Sequence, residues 1–225
     1  MTSRMLLTSA GISNETLRAA LADLLGRPFN EARLAVVLTA SLAVPGDKTW
    51  LLDDLARLRA LWWAEIDVVD LHTLLPDGVA ARLRAADVVY VHGGNQYNLA
   101  AAIDRRGLAL LFRELVQTKV YVGLSAGSMI LSRHLADGVA VFGDEDEVRD
   151  VGLRAATSPL PLFDWYLKPH LDSPDRPETW ARERAAAADF PIWFLDDASA
   201  LLVRGERGSE SVELVGEGRG LLLEA

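Results

Sequence analysis

A Gly-x-Ser-x-Gly pattern directly after an apolar run is the part of this sequence best suited to chemistry. The strand-like run Val120–Val122 leads into Gly123 and Ser125, and a helix-compatible segment, Ser128–Leu135, follows. This order is typical of a nucleophile elbow, a tight turn that exposes one hydroxyl at the end of a sheet. The pattern therefore predicts that Ser125 attacks a carbonyl carbon. A turn that only packs a helix onto a sheet is the alternative, because such short patterns recur by chance.

A serine hydroxyl is a weak nucleophile unless a neighbouring base accepts its proton, and histidine is the usual base. Four histidines are available: His72, His92, His134 and His170. His170 is the predicted base, because Pro169 fixes the backbone just before its imidazole. His92 is expected in a loop beside the site and His72 in a solvated loop. His134 is expected on the helix after the elbow, pointing elsewhere.

Two adjacent aspartates are candidates for the carboxylate that orients the imidazole. Asp196 and Asp197 directly follow the strand-like run Pro191–Leu195. A carboxylate at a strand end can hold the imidazole tautomer and stabilise the imidazolium. Both aspartates could instead cap the turn before Ala200. The residue pattern alone leaves open which of the two would serve.

The oxyanion of a tetrahedral intermediate needs about two positioned donors. The N–H of Ala126, directly after the predicted nucleophile, is one. Gly93 or Gly94 is expected to supply the other, because a Gly-Gly turn permits close backbone approach. The side chain of Asn95 could contribute as well, or could cap the helix that begins near Tyr97.

Short apolar runs alternate with longer amphipathic segments, which predicts an α/β fold with a parallel sheet and helices on both faces. The predicted strands are Met5–Thr8, Arg33–Thr39, Glu65–Leu71, Val88–Val91, Lys119–Val122, Pro191–Leu195 and Ala200–Val203. The predicted helices are Asn14–Leu25, Thr49–Trp63, Asp77–Ala85 and Tyr97–Gln117.

Two further segments carry expectations of their own. The runs Ser211–Val215 and Gly220–Leu223 flank Gly216–Gly218, which predicts a C-terminal β-hairpin. The acidic run Asp144–Glu147 lacks the spacing of a calcium loop and is expected to be a solvated loop.

Composition narrows the class of protein. The chain has 225 residues, of which 50% are hydrophobic, and a net charge of −9, which argues against nucleic acid or an anionic membrane as partner. We expect a single domain over residues 1–225.

The sequence has no cysteine, which excludes disulfides and thiolate catalysis and fits a cytoplasmic location. The N-terminal apolar run is too short for a signal peptide, and no stretch is long enough to cross a bilayer. With no ligand cluster in the sequence, neither a metal nor an organic cofactor is expected.

Taken together, the sequence resembles the peptidase E family of serine peptidases, the aspartyl dipeptidase group, whose wider relatives include cyanophycinase. Four places in order carry the resemblance: Gly93–Gln96, Gly123–Ser128, Pro169–His170 and Leu195–Asp197. The resemblance implies a three-layer, flavodoxin-like sandwich akin to class I glutamine amidotransferases, with serine replacing their cysteine. It also implies Ser125 as nucleophile, His170 as base, Asp197 as acid, a small peptide as substrate and a homodimer.

The sequence departs from the family pattern at two places. Glutamate is familiar at the position of Asp197. Aspartyl dipeptidases of the family carry Glu-Thr-Arg after the histidine, where this chain has Glu178–Trp180. An arginine forms a bidentate pair with a carboxylate and an indole cannot. Arg176, Arg182 or Arg184 could substitute, in a different register.

Two other functions compete with a peptidase. An α/β-hydrolase esterase would order its triad Ser, Asp or Glu, His, with an acid such as Asp144, Asp150 or Asp164 before His170. Only 45 positions separate Ser125 from His170, and no HGGG-type loop precedes the elbow. A non-catalytic binding protein that retains the elbow is the other alternative, prompted by the lost arginine.

Overall fold

The computed structural model describes residues 2–206 and 208–224, in which ten strands and ten α-helices form. The strands are β1 Thr2–Thr8, β2 Arg33–Val37, β3 Glu65–Val69, β4 Val88–Val91, β5 Val120–Leu124, β6 Tyr166–Lys168, β7 Ile192–Leu195, β8 Ser199–Glu206, β9 Ser211–Gly216 and β10 Gly220–Leu223. The helices are α1 Glu15–Leu25, α2 Thr39–Leu42, α3 Thr49–Arg59, α4 Pro76–Ala85, α5 Gln96–Arg105, α6 Ala109–Thr118, α7 Ala126–Met129, α8 Gly138–Phe142, α9 Glu145–Asp150 and α10 Glu178–Ala186.

A seven-stranded sheet in the order β3-β2-β4-β5-β1-β8-β9 forms the centre of the fold. The first five strands in this order pair in parallel, and β8 and β9 are antiparallel. This confirms the predicted α/β class with a mostly parallel central sheet. Because β5 lies between β4 and β1, the segments that follow these three strands meet at one edge, where sites on open sheets form.

Two apolar layers cover the sheet. On β5, Val120 and Val122 pack into one layer with α1, and Tyr121 packs into the other with α5 and α6. The three side chains are at most 1% exposed. Alternate residues of a strand point to opposite faces, so a strand covered on both faces is apolar throughout. Helices thus lie on both faces, as a three-layer sandwich requires.

The C-terminal hairpin is formed by different strands from those predicted. β9 pairs antiparallel with β8, whereas β10 leaves for a second sheet of order β10-β7-β6. Gly216 has φ 127°, and a Cβ there would lie 2.2 Å from the carbonyl oxygen of Ala198. The chain therefore bends sharply at this glycine instead of closing a turn between β9 and β10.

Asp196 holds together the two segments that cross between the sheets. Its carboxylate accepts hydrogen bonds from the N–H of Ala198, the hydroxyl of Ser199 and the N–H of Arg219. Its own N–H donates to the carbonyl of Arg219. The link from β7 to β8 and the link from β9 to β10 are thereby joined at one side chain.

The predicted helices differ from the observed ones mainly where tertiary contacts intervene. The segment predicted as one helix over 97–117 is two helices, because Gly107 adopts φ 66° between α5 and α6. The helix predicted over 128–135 ends at Met129. The following chain bonds instead to another segment, with the N–H of Arg133 donating to the carbonyl of Phe163. His134 consequently lies in a turn, where its ring stacks on Phe190.

None of the helices in the described ranges combines the length and the apolar character that a membrane crossing requires.

We expect Asn14→Ala to lower the free energy of unfolding by about 1 kcal/mol or more. The Asn14 Oδ1 accepts from the N–H of Leu17 at the start of α1, at 3.0 Å. Its amide donates to the carbonyl of Ala198 at 2.9 Å. Asn14→Ser keeps a capping oxygen and should retain most of the first effect. Urea denaturation of the three proteins measures this, and equal losses for Ala and Ser would show that the cap contributes nothing.

Candidate active site

Ser125 lies on a strained turn between β5 and α7. Its backbone has φ 46° and ψ −106°, a region that non-glycine residues rarely adopt. The Ser125 N–H donates to the carbonyl of Thr8 at 3.0 Å, and the hydroxyl of Ser128 donates to the same oxygen at 2.9 Å. The hydroxyl of Tyr121 donates to the carbonyl of Gly127 at 2.6 Å. These bonds fix the turn to Thr8 of β1 and to Tyr121 of β5.

The second glycine of the pattern is required by close packing. A Cβ on Gly127 would lie 2.0 Å from the carbonyl oxygen of Val91 in β4. A Cβ on Gly123 would lie 2.7 Å from the nitrogen of Ser128. Backbone atoms cannot move aside cheaply, so both positions exclude any side chain. The Gly-x-Ser-x-Gly pattern is thus explained by contacts on both sides of the serine.

His170 and Asp197 come together at the ends of the strands of the second sheet. The Nδ1 of His170 lies 2.6 Å from Oδ1 of Asp197. Partial burial by itself would raise the pKa of Asp197, but the hydrogen bonds from His170 and Ser9 and the charge of Arg176 outweigh it and lower that pKa. A carboxylate that stays ionised fixes the Nδ1–H tautomer of the imidazole and leaves Nε2 able to accept a proton.

Ser9 joins this pair to the central sheet and was not singled out from the sequence. Its hydroxyl donates to Oδ1 of Asp197 at 2.8 Å and accepts from the N–H of His170 at 2.9 Å. The second contact supports His170 in a left-handed conformation, φ 65°. The position of Ser9 directly after β1 is the one signal that could have identified it, because β1 neighbours β5.

The structure distinguishes the two adjacent aspartates. Asp197 faces His170, whereas Asp196 accepts hydrogen bonds within the turn and from the neighbouring crossing segment. The two predicted roles, orienting carboxylate and turn cap, are therefore divided between them.

Three backbone N–H groups near Ser125 are candidates for binding an oxyanion. Within residues 2–206 and 208–224, the N–H groups of Gly93, Gly94 and Ala126 donate no hydrogen bond. A Cβ on Gly93 would lie 3.2 Å from Cβ of Ser125, so this backbone closely approaches the serine. Asn95 takes the second of its two predicted roles, because its Oδ1 caps α5. Its amide donates to the carbonyl of Glu147, and Asn95 is not among the residues that line the cavity.

A cavity of about 460 Å³ lies at the glycine pair and the proposed nucleophile. Ser125, His170 and Asp197 line it together with Gly93 and Gly94. A cavity of this size suits a small organic ligand. Across the described ranges, no group of three or more acidic or histidine side chains is arranged to hold a metal ion.

Comparison with known proteins places this geometry in a family. The profile of peptidase family S51 matches residues 5–210, which include the elbow, His170 and Asp197. The chain belongs to peptidase family S51. An uncharacterised peptidase of Pasteurella multocida is 31% identical over 159 residues, which cover 69% of this chain and 74% of that protein. A protein named peptidase E from Streptomyces coelicolor is 32% identical over 162 residues, covering 68% of this chain and 63% of that protein.

Solved structures share the S51 fold seen here. A Listeria monocytogenes EGD-e protein provisionally named peptidase E aligns over 97% of this chain and 100% of its own, with a TM-score of 0.76 and 20% identity. A peptidase from an acI-B1 Actinobacterium aligns over 100% of this chain and 91% of its own, with a TM-score of 0.68 and 15% identity. These likenesses confirm the peptidase E fold, and family membership makes the chain a peptidase, that is, a hydrolase.

The acidic run of this S51 chain is not the solvated loop that its sequence predicts. It forms the start of α9, with Asp144 only 8% exposed. Asp144 accepts from the hydroxyl of Tyr97 at 2.9 Å and lies 3.3 Å from Nζ of Lys168. Burial lowers the pKa of Lys168, against the opposing effect of Asp144. Glu147, one turn on, lines the cavity, where burial and the Asp144 charge raise its pKa.

Trp180 stands where the sequence resemblance led us to expect an arginine; it packs against the rings of Phe142 and Phe194 and is not among the residues that line the cavity. Of the three arginines that could substitute, only Arg176 is among the cavity-lining residues of the described chain. Arg182 pairs with Glu178 on the surface. The third, Arg184, donates to a backbone carbonyl of α8.

His92 contributes to the wall of the same cavity and is completely buried. Its Nδ1 lies 2.9 Å from the hydroxyl of Ser41, and its Nε2 lies 3.1 Å from Oδ2 of Asp54. The Nε2–Asp54 contact has the distance of an ion pair without the alignment of a hydrogen bond. Sequence reasoning placed His92 near the site but gave no sign of its partners, which come from α2 and α3. His72 is exposed, as expected.

We expect Glu147→Gln to be more stable than the wild type at pH 7. The folded-state pKa of Glu147 is raised, so its stabilising contribution is complete below the unfolded pKa of about 4.3 and is lost as the pH rises through the folded pKa. The advantage of the variant should therefore disappear near pH 4. Urea denaturation at both pH values measures it.

Glu145→Gln is the matched control, because it removes the same charge from the exposed side of α9. It should change stability little at either pH. A Glu147→Gln advantage that persisted unchanged at pH 4 would contradict the assignment.

Proposed function

We propose that this chain is a serine peptidase that hydrolyses short peptides with Ser125, His170 and Asp197 as its triad. The observation that supports this most strongly is the 2.6 Å contact between His170 and Asp197 in the cavity lined by Ser125. A nucleophile, a base and a group that orients the base are the three parts that such a reaction needs.

In the proposed reaction, the Ser125 hydroxyl oxygen attacks the peptide carbonyl carbon while Nε2 of His170 accepts its proton. The resulting imidazolium is stabilised by the ionised carboxylate of Asp197. The carbonyl oxygen becomes an oxyanion, which accepts hydrogen bonds from the N–H groups of Gly94 and Ala126. His170 then donates its proton to the departing amine as the C–N bond breaks. A water molecule, deprotonated by His170, then attacks the acyl carbon. The C–O bond to Ser125 breaks as His170 returns the proton to the serine oxygen, which releases the acid.

The same site favours a substrate with an acidic side chain. Arg176 lines the cavity, and its side chain donates to the carbonyl of Pro169. No carboxylate in the described ranges lies within ion-pair distance of it. By contrast, Arg57 and Lys168 in the same wall are paired with Asp54 and Asp144. An unpaired guanidinium in a small cavity binds carboxylates in a bidentate manner.

Arg176 thereby supports N-terminal aspartyl dipeptides as substrates despite Trp180. Its guanidinium carbon lies 6.0 Å from the centroid of the Trp180 ring, so the two side chains are neighbours although only Arg176 lines the cavity. The arginine is supplied from the loop before α10 rather than from the helix itself. This compensates for the departure noted in the sequence.

An esterase of the α/β-hydrolase type is less well supported, because its acid would precede His170 in the chain. Of the three candidates, Asp144 is engaged with Tyr97 and Lys168. Asp164 pairs with Arg133, and Asp150 is exposed at the end of α9. The carboxylate at His170 is Asp197, which comes after it.

Ser125→Ala should lower kcat for dipeptide hydrolysis by about 10⁴ or more, because Ser125 is the one serine or threonine among the described residues that line the cavity. The measurement is release of amino acids from a panel of Asp-X, Glu-X and neutral dipeptides. Ser209→Ala, at an exposed turn far along the chain, is the matched control and should keep wild-type turnover. Unchanged hydrolysis by Ser125→Ala would refute the mechanism.

Arg176→Met should reduce kcat/KM for Asp-X dipeptides about 10- to 100-fold, the effect of losing a charge-assisted hydrogen-bonded pair. Neutral dipeptides should be affected much less. Arg182→Met removes a guanidinium from the exposed face of α10 and should leave both values near wild type. An equal loss on acidic and neutral dipeptides would show that Arg176 does not read the acidic side chain.

A further inference from the structure

A second buried polar network lies behind the glycine pair and takes no part in the proposed triad. It joins Ser41 of α2, His92 after β4 and Asp54 of α3, which are 0%, 0% and 2% exposed. Buried polar groups of this kind are costly unless each has a partner. We therefore ask which part of the backbone this network fixes in place.

The network ends on the carbonyl oxygen of Gly93. The hydroxyl of Ser41 lies 2.7 Å from this oxygen and 2.9 Å from Nδ1 of His92. A carbonyl can only accept, so Ser41 donates its single proton to Gly93. Nδ1 of His92 then donates to the Ser41 oxygen. On the far side of the ring, Nε2 lies 3.1 Å from Oδ2 of Asp54 without the alignment of a hydrogen bond. The same carboxylate oxygen accepts from the hydroxyl of Tyr90 at 2.9 Å.

The order Ser–His–Asp in this network does not make it a second catalytic triad. The Ser41 hydroxyl is completely buried and is not part of the cavity wall. Because the hydroxyl is buried, a substrate carbonyl does not reach its oxygen. Its proton is donated to the Gly93 carbonyl instead.

Holding the Gly93 carbonyl determines the direction of the next N–H. In a planar trans peptide, the C=O of one residue and the N–H of the following residue point in opposite directions. The described chain has no cis peptide bond. With the Gly93 oxygen directed into the buried network, the Gly94 N–H is directed to the other side, where Gly94 and Ser125 share the cavity.

The backbone around Gly94 prevents this peptide from settling elsewhere. Gly94 has φ 130°, and a Cβ there would lie 2.3 Å from the carbonyl oxygen of Ala40. That same oxygen accepts the N–H of Asn95 at 3.0 Å. The peptides on both sides of Gly94 are thus bonded to α2: the N–H of Asn95 donates to Ala40, and the carbonyl of Gly93 accepts from Ser41.

We propose that Ser41, held by His92, is a positioning residue that orients the Gly93–Gly94 peptide so that the Gly94 N–H binds the oxyanion. The inference rests on the proposed function for its effect on turnover. The orientation of the peptide is independent of that function and can be tested separately.

The kinetic test compares Ser41→Ala with Thr39→Val, a change on the same short helix. Thr39 also has a buried hydroxyl, but it bonds to Asp70 and to the N–H of Leu71 instead of the glycine pair. Ser41→Ala should lower kcat about 10- to 100-fold and leave KM within threefold of wild type. This loss is smaller than the decrease in kcat of about 10²- to 10³-fold that follows removal of an oxyanion donor. Thr39→Val should keep wild-type kcat.

A transition-state probe separates positioning from general damage. A dipeptide aldehyde forms a tetrahedral adduct with Ser125, so its inhibition constant should rise in parallel with the loss of kcat in Ser41→Ala. Should Ser41→Ala fail to fold, His92→Asn and His92→Leu replace it. The asparagine amide can still donate to Ser41 and should retain more turnover than leucine.

Crystal structures of wild type, Ser41→Ala and Thr39→Val decide the orientation whether or not the protein hydrolyses peptides. The Gly93–Gly94 peptide should be rotated or doubly oriented in Ser41→Ala alone. An unchanged peptide, or an active wild type whose kcat survives Ser41→Ala, would overturn the inference. An inactive wild type with a rotated peptide in Ser41→Ala would instead refute the proposed function and retain the positioning role.

Discussion

The arrangement of the site depends on the close contact between the elbow and the two strands beside it. The carbonyl of Val91 occupies the space that a side chain on Gly127 would need, and the carbonyl of Thr8 accepts two hydrogen bonds from the turn. A non-glycine residue at positive φ costs of order 1–3 kcal/mol and persists only where its surroundings over-determine it. For Ser125, β4 and β1 supply those surroundings. The segments that follow the same strands then provide the glycine pair and Ser9.

Much of the fold could be predicted, because strands covered on both faces are apolar throughout and the helices between them are amphipathic. The errors arose where distant contacts decided the local structure. Gly107 divides one amphipathic segment into two helices, and Gly216 directs β10 away from β9. Asp144 of the acidic run is buried beside Lys168, a partner 24 positions away in the sequence. Periodicity within a window carries no information about such partners.

The candidate site was predictable in part for the same reason. Ser125 belongs to a pattern with a mechanical meaning, and His170 and Asp197 follow short apolar runs that point to strand ends. Ser41 and Asp54 belong to no sequence motif, because each is an ordinary polar residue within a helix. They lie beside His92 only because α2 and α3 pack near the end of β4. The choice of Arg176 among three arginines likewise needed the fold of the loop before α10.

The proposed triad is divided between two sheets. The nucleophile follows β5 of the large sheet, whereas the base and its carboxylate follow β6 and β7 of the small one. The distance between Ser125 and His170 therefore depends on how the two sheets are connected. Asp196 contributes to that connection, because it forms hydrogen bonds with both segments that cross between the sheets. A small rotation of one sheet against the other would separate Ser125 from His170, and it would also strain the hydrogen bonds by which Ser9 holds His170 and Asp197. Alignment of the proposed triad therefore depends in part on Asp196, a carboxylate whose hydrogen bonds go to neither Ser125 nor His170.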